Sequence, residues 1–210
     1  MLYDDTAAHP RSIRSRLELA VGDLLTDGKF TLAGENGLTI EYDAQVPTAN
    51  MPTAATPWTD PTADAIADEL AWLETLRASG APMPEKVVTS YKARALLAGN
   101  DAYRAAYYGS VNPSNTPTAT LAPNEVDTVR ARYNLPPIEI YDVQIPKDDR
   151  SMARPIPEDR WVMVPPNRNQ WGETQYGITA ESIALTTGDN PAIELEEAPG
   201  IIVTHGWQDD

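Results

Sequence analysis

The chain has 210 residues, 41% hydrophobic and 22% charged, an ordinary globular composition that can bury a core and excludes a mainly disordered chain. A formal net charge of −15 argues against tight nucleic-acid binding and against an anionic membrane surface, since both require clustered Lys and Arg. The absence of Cys removes disulfides, thiolate metal sites and a Cys nucleophile. With no apolar run near the ~18 residues of a spanning helix and no basic-then-apolar start, the expectation is a soluble chain that stays where it is made.

The 19 prolines cluster at 47–61, 113–123 and 146–166, so ordered elements must lie between those stretches. A helix is expected over 10–25. Ile13, Leu17, Ala20, Val21 and Leu24 form its apolar stripe, Gly28 stops it, and Gly22 inside it costs about 1 kcal/mol relative to Ala. Alternation over 29–32 and 38–42, with Gly34, Asn36 and Gly37 between, predicts a hairpin. Residues 46–57 read as an extended connection.

The clearest element follows. Asp60 fits an N-cap, Pro61 the first helical position and Asp64 the first turn, which predicts one helix over 62–79, spanning ~27 Å. Ile66, Leu70, Leu73 and Leu76 make its apolar edge, Trp72 widens it, and Gly80 and Pro82 end it. A short strand is expected at 86–88. Ser90 caps a helix through Leu97, stopped by Gly99, and Asp101 caps another through Tyr108, stopped by Gly109. Residues 111–120 read as a loop. The next helix carries Val126, Val129 and Tyr133 on one face and ends at Asn134. Strands are expected at 138–145 and 160–164, a pair that could form a hairpin around the charged turn 147–154. Residues 172–179 read as irregular, and further strands as 192–195 and 201–205. There is no internal repeat. Helices and strands neither alternate regularly nor segregate into an all-strand pattern, so the fold class is α+β.

Few residues invite a chemical role. His9 and His205 lie near opposite ends, with no second His at metal-ligand spacing. No Gly-x-Ser-x-Gly elbow, phosphate loop or Gly-x-Gly-x-x-Gly is present. Asp60, Asp64 and Asp68 recur every four residues and would share a helix face; they could hold a hard cation, or serve as cap and dipole complement. Glu194, Glu196 and Glu197 read as an exposed strand face, and Asp209 and Asp210 as a solvated acidic end. Trp161, Trp171 and Trp207 could stack a sugar or base, but with few basic residues nearby they read better as core or contact aromatics. No catalytic, cofactor-binding or metal-ligating residue is assigned, and no cofactor is expected.

Residues 58–68, Trp-Thr-Asp-Pro-Thr-Ala-Asp-Ala-Ile-Ala-Asp, resemble the lambda-like major capsid proteins of tailed phages, the capsid protein E family, in which Trp-x-Asp-Pro opens the long spine helix. In the same order, Gly28-Lys29, Asn36-Gly37 and Tyr42-Asp43 resemble that family's helix and hairpin before the spine. Residues 135–142, Leu-Pro-Pro-Ile-Glu-Ile-Tyr-Asp, resemble its strand after a helix. Residues 155–164, 172–180 and 199–210 follow in order. Ala65 stands where the family often has Pro.

The resemblance implies a Hong Kong 97-like capsid fold. Its parts would be a helix and hairpin leading from the extended-loop region (1–57), a spine helix of the peripheral domain (58–85), an axial domain (86–198) and the start of the closing peripheral segment (199–210). Compared with that family the chain looks short at both ends. The implied function is a structural subunit of an icosahedral phage capsid, forming pentamers and hexamers around a DNA genome, in the host cytoplasm and then in the virion. Its partners would be further copies held by heterologous contacts, with a scaffold or decoration protein as additional candidates. Trp58, Trp72, Tyr103, Tyr107 and Trp161 are the expected packing or contact residues. An encapsulin-type cellular cage of the same fold is the alternative, and an unrelated hydrolase or ligand-binding domain, marked by a deep pocket of perturbed titratable groups, is a further one.

Overall fold

A computed structural model describes residues 2–33, 39–109, 117–147, 150–167, 193–198 and 201–206. They fall into two units, Met1–Glu18 with Gly172–Asp210, and Leu19–Trp171. In the first unit the strands β8 (Ile193–Ala198) and β9 (Ile201–Gly206) pair antiparallel, Ile193 opposite Gly206 and Ala198 opposite Ile201. Both expected strands are therefore present, and they face each other. The predicted irregular stretch 172–179, Trp171, Trp207, Asp209 and Asp210 lie outside the described residues.

Helix α1 covers Leu2–Asp27, longer at its start than the sequence suggests. Pro10 was expected to open the helix but lies inside it, at the loss of one backbone hydrogen bond. The helix ends where predicted, at Gly28, whose φ of 71° is the left-handed conformation that glycine adopts without penalty. Gly22 has a separate reason. A Cβ built there would lie 2.1 Å from the carbonyl oxygen of Pro155, so only a bare backbone lets this turn of α1 seat against residues 155–156.

Strands β1 (Lys29–Ala33) and β2 (Thr39–Asp43) form the expected antiparallel ribbon. Phe30 faces Tyr42, and Leu32 faces Ile40. A single 3₁₀ turn, Thr48–Asn50, interrupts the connection that follows.

Helix α2 is Ala65–Ala78, 14 residues or ~21 Å, shorter than expected. Its N-cap is Asp64, whose carboxylate accepts from the Ala67 N–H at 3.0 Å. Asp60 instead accepts from the backbone N–H and the hydroxyl of Thr62, at 2.9 and 2.8 Å, and so closes a turn ahead of the helix. The Pro61 carbonyl is committed elsewhere, accepting from the N–H of Asp101 at 2.8 Å. The predicted cap and first turn are thus displaced by four residues, because the first Asp found a local partner. The buried face also differs. Ala65, Ile66, Glu69 and Leu73 are buried, while Leu70 is 40% exposed.

Strand β3 (Lys86–Thr89) leads into α3 (Tyr91–Gly99), capped as predicted by Ser90. Helix α4 (Asp101–Tyr108) is capped by Asn100 rather than Asp101, and ends at Gly109 with φ of 70°. Asn100 is preferred because its amide does two jobs. Its oxygen accepts from Ala102 and Tyr103 N–H, while its nitrogen donates to the Ala63 carbonyl at 2.7 Å. Helix α5 (Pro123–Arg132) has Pro at its first position, with the Glu125 carboxylate accepting from the Ala122 N–H.

The predicted hairpin between residues 138–145 and 160–164 is not formed. Strand β4 (Ile138–Ile140) pairs parallel with β3, and β7 (Trp161–Val164) pairs antiparallel with its other edge, giving the order β4-β3-β7. β3 is paired along both edges, and its buried Val87, Val88 and Thr89 side chains suit the central place. Between β4 and β7, the short β5 (Ile145–Pro146) and β6 (Met152–Ala153) pair with each other. One core joins α2, α3, α4 and α5 through Ile66, Leu97, Tyr103, Leu121, Val126 and Val129. A smaller one of Val88, Ile156 and Val164 lies under the sheet.

Ala is the better helix former, yet Gly22→Ala should destabilise the protein by about 2–3 kcal/mol, the cost of overpacking against a rigid backbone. Thermal and urea denaturation measure it, and a variant as stable as the parent would show that the contact with Pro155 is not tight.

Candidate functional site

The most unusual chemistry of the chain is buried. Glu69 on α2 is fully buried, and so, nearly, is Arg130 on α5. Arg130 Nη1 and Nη2 donate to the two carboxylate oxygens of Glu69 at 2.7 and 2.9 Å, a bidentate pair. Three more donors and acceptors complete it. Tyr103 of α4 donates to Glu69 at 3.1 Å and accepts from Arg130 at 2.9 Å. Arg130 Nε and Nη2 donate to the Pro136 carbonyl, just before β4, at 3.0 and 2.6 Å. The Trp161 indole N–H of β7 reaches Glu69 at 3.3 Å, and its ring lies 5.2 Å from the guanidinium carbon.

Sequence reading missed both charges for one reason: a lone Glu and a lone Arg on amphipathic helices look like solvated residues. The available signal is spacing. Glu69 lies at i+4 from Ala65 and i−4 from Leu73, in register with the buried face, and Arg130 lies at i+4 from the buried Val126.

Electrostatics follow from this enclosure. Burial, and then the negative charge of Glu69, push the Tyr103 phenol far above the ordinary tyrosine range. Burial alone would draw Arg130 down, but the hydrogen bonds and charge of Glu69, with Tyr103, more than offset it and hold the guanidinium above its usual value. Glu69, Arg130 and Tyr103 are consumed by one another, so their perturbation marks structure rather than catalysis.

An aromatic layer adjoins this node. Trp58 stacks on Trp72 with centroids 5.6 Å apart, and meets Trp161 edge-on at 5.0 Å. The Trp58 indole N–H donates to Asp68 at 2.9 Å. The three evenly spaced aspartates therefore do three separate jobs: Asp60 closes a turn, Asp64 caps α2 and Asp68 holds Trp58. They form no cation site, and among the described residues no group of three His, Cys, Asp or Glu is arranged to hold a metal. The carboxyl of Asp60 lies below the usual range because the backbone N–H of Thr62, and then its hydroxyl, bind the anion. The side chains of His9, His205, Glu194, Glu196 and Glu197 lie outside the described set.

Of the five expected packing or contact aromatics, Tyr103 is buried, and Trp58, Trp72, Trp161 and Tyr107 are partly buried. The outward-facing apolar groups are others. In the β1–β2 ribbon the cross-strand pairs place Phe30, Leu32, Ile40 and Tyr42 on one face, with Ile40 and Tyr42 each 51% exposed. A two-stranded ribbon with an open apolar face has little stability of its own and suits a contact surface. Leu70, Tyr108 and Tyr133 are further large groups left in solvent on α2, α4 and the end of α5.

Among the described residues the fully buried Glu69 and Arg130 are paired with each other, and several large apolar side chains are exposed. Residues 1–201 match the family described as phage major capsid protein E, and the chain belongs to that family, one of structural capsid proteins and not of enzymes. The fold agrees. A chain from E. coli CFT073, assigned as a prophage capsid protein and solved by crystallography, is 16% identical with a TM-score of 0.56, an overlap of 91% of this chain and 56% of that one. The present chain thus spans little more than half the length of that relative. No curated protein sequence matches it. Among the described residues, no helix is long and apolar enough to cross a membrane.

Removing one partner of the node leaves a buried charge uncompensated, so Glu69→Leu or Arg130→Met should each cost about 3–5 kcal/mol. The double variant should recover most of that loss. Urea unfolding of the four proteins tests it, and two additive losses would disprove the coupling. Tyr103 adds a pH dependence. Its pKa is raised in the fold, so its contribution is complete below the ordinary tyrosine pKa of about 10 and is lost as pH climbs beyond that. Tyr103→Phe should be less stable than the parent at neutral pH, and should lose less stability on going from about pH 9 to about pH 11.5. Parallel melting curves across that range would exclude the effect.

Proposed function

We propose that this chain is a shell subunit of a tailed phage, joining five- and six-membered rings of an icosahedral capsid that encloses DNA. The match to the capsid family over residues 1–201 carries the reading. The open apolar face of the ribbon and the exposed Leu70, Tyr108 and Tyr133 support it, because a subunit of a closed shell must bury surface against neighbours on several sides. In this reading residues 58–85, with α2, serve as the spine of a peripheral domain. Residues 86–198 serve as the axial domain around the ring axes, 1–57 approach from the extended-loop region, and 199–210 begin the closing segment. The copies associate in the host cytoplasm and end in the virion, where a scaffold or decoration protein is a further partner. The net charge of −15 suits a wall that must not adhere to the packed genome.

Electron microscopy of the purified protein, with nuclease treatment of any particles, tests this. Rings of five or six copies, or shells with protected DNA from infected or induced cells, are expected. A monomer at all concentrations up to about 100 µM and at every salt concentration tried would overturn it, since a standard-size interface should give association by then.

A further inference from the structure

The charge of the chain and the way its ion pairs are spent bear on how association is controlled. Sixteen Lys and Arg face 31 Asp and Glu. Among the described residues eight cations are already engaged inside one copy: Arg130 is buried with Glu69, and seven others, among them Arg94 with Asp127 and Arg154 with Asp142 and Glu158, pair on or near the surface. At most eight of the sixteen cations are then left to meet a neighbour's acids, while acids remain in excess. The surfaces left to make contact are apolar: the ribbon face with Ile40 and Tyr42, and the exposed Leu70, Tyr108 and Tyr133. Apolar attraction acts at contact and depends little on moderate salt. Repulsion between two strongly acidic bodies acts over the Debye length.

We infer that association of copies is held off by charge repulsion and released by ionic screening, so that salt promotes assembly. This rests on the shell-subunit reading above and adds the sign of its control. An interface built on complementary charge would behave in the opposite way, weakening as salt rises.

The test follows the associated fraction by sedimentation velocity, at fixed protein concentration, from about 0.01 M to about 0.15 M NaCl. The Debye length then falls from about 30 Å to about 8 Å. The associated fraction should rise by about tenfold. Glu41→Lys with Glu85→Lys removes repulsion at two exposed acids outside the described ion pairs, and should move the rise to lower salt. Glu41→Gln with Glu85→Gln should do so by a smaller step, and replaces the first variant if that one misfolds by circular dichroism. A fraction that is flat or falls with salt, or variant curves that superpose on the parent, would overturn the inference and leave the shell reading intact. No association at any salt would overturn the shell reading itself.

Discussion

The arrangement depends on one buried ion pair. Taking a carboxylate and a guanidinium out of water costs several kcal/mol each, and their attraction returns that only when geometry is good and every remaining donor and acceptor is met. Glu69 and Arg130 meet the condition by recruiting Tyr103, the Pro136 carbonyl and the Trp161 indole. Those partners come from α4, the approach to β4, and β7. The pair is therefore satisfied only when these elements and the two helices that carry it are all in position. A core of Leu and Val tolerates small slips between helices, whereas a bidentate fork with further bonds does not. The node contributes less to net stability than to the choice of one packing over its neighbours.

The segment before α2 is organised around the same centre. Trp58 is fixed by Asp68, ten residues ahead, and wedged between Trp72 and Trp161. That places residues 57–64 across the helix start instead of within it. The Pro61 and Ala63 carbonyls then bind Asp101 N–H and the Asn100 amide. Asn100 thus ties the α3–α4 corner to the entry of α2 while it caps α4. The Trp-Thr-Asp-Pro opening is a docking device as well as a helix start, which is why its Asp and Pro are not the cap and first turn.

Most elements were legible because their signals are local. Gly28, Gly80 and Gly109 end helices with positive φ, Ser90 caps α3, and the ribbon follows its alternation. What was not legible is long-range. Nothing within residues 138–164 says that β4 and β7 each prefer β3 to one another, since that depends on a strand some fifty residues earlier. Glu69 and Leu70 exchange places against expectation for a related reason. Hydropathy ranks a Glu outside and a Leu inside, but an Arg sixty-one residues away reverses the order. Within the helix alone Gly22 is only a cost, and its close contact with Pro155 is what accounts for it. In each case the deciding partner lies far along the chain, where periodicity carries no information.

Membership of the capsid protein family was legible through ordered motifs rather than through any single group, and the physical reason lies in where polarity sits. An enzyme concentrates unspent polar groups in a cleft, at a cost in stability, so that a substrate can complete them. Here the buried Glu69, Arg130 and Tyr103 complete one another, while Arg94, Arg104 and Arg160 each keep a buried Nε without a partner, and among the described residues large apolar groups face outward on the ribbon and on three helical elements. Surfaces of that kind are satisfied by another protein surface. The sequence carries 31 acidic groups against 16 basic ones, so a contact between two copies has to gain enough apolar burial to exceed a repulsion that weak, poorly fitted contacts would not overcome.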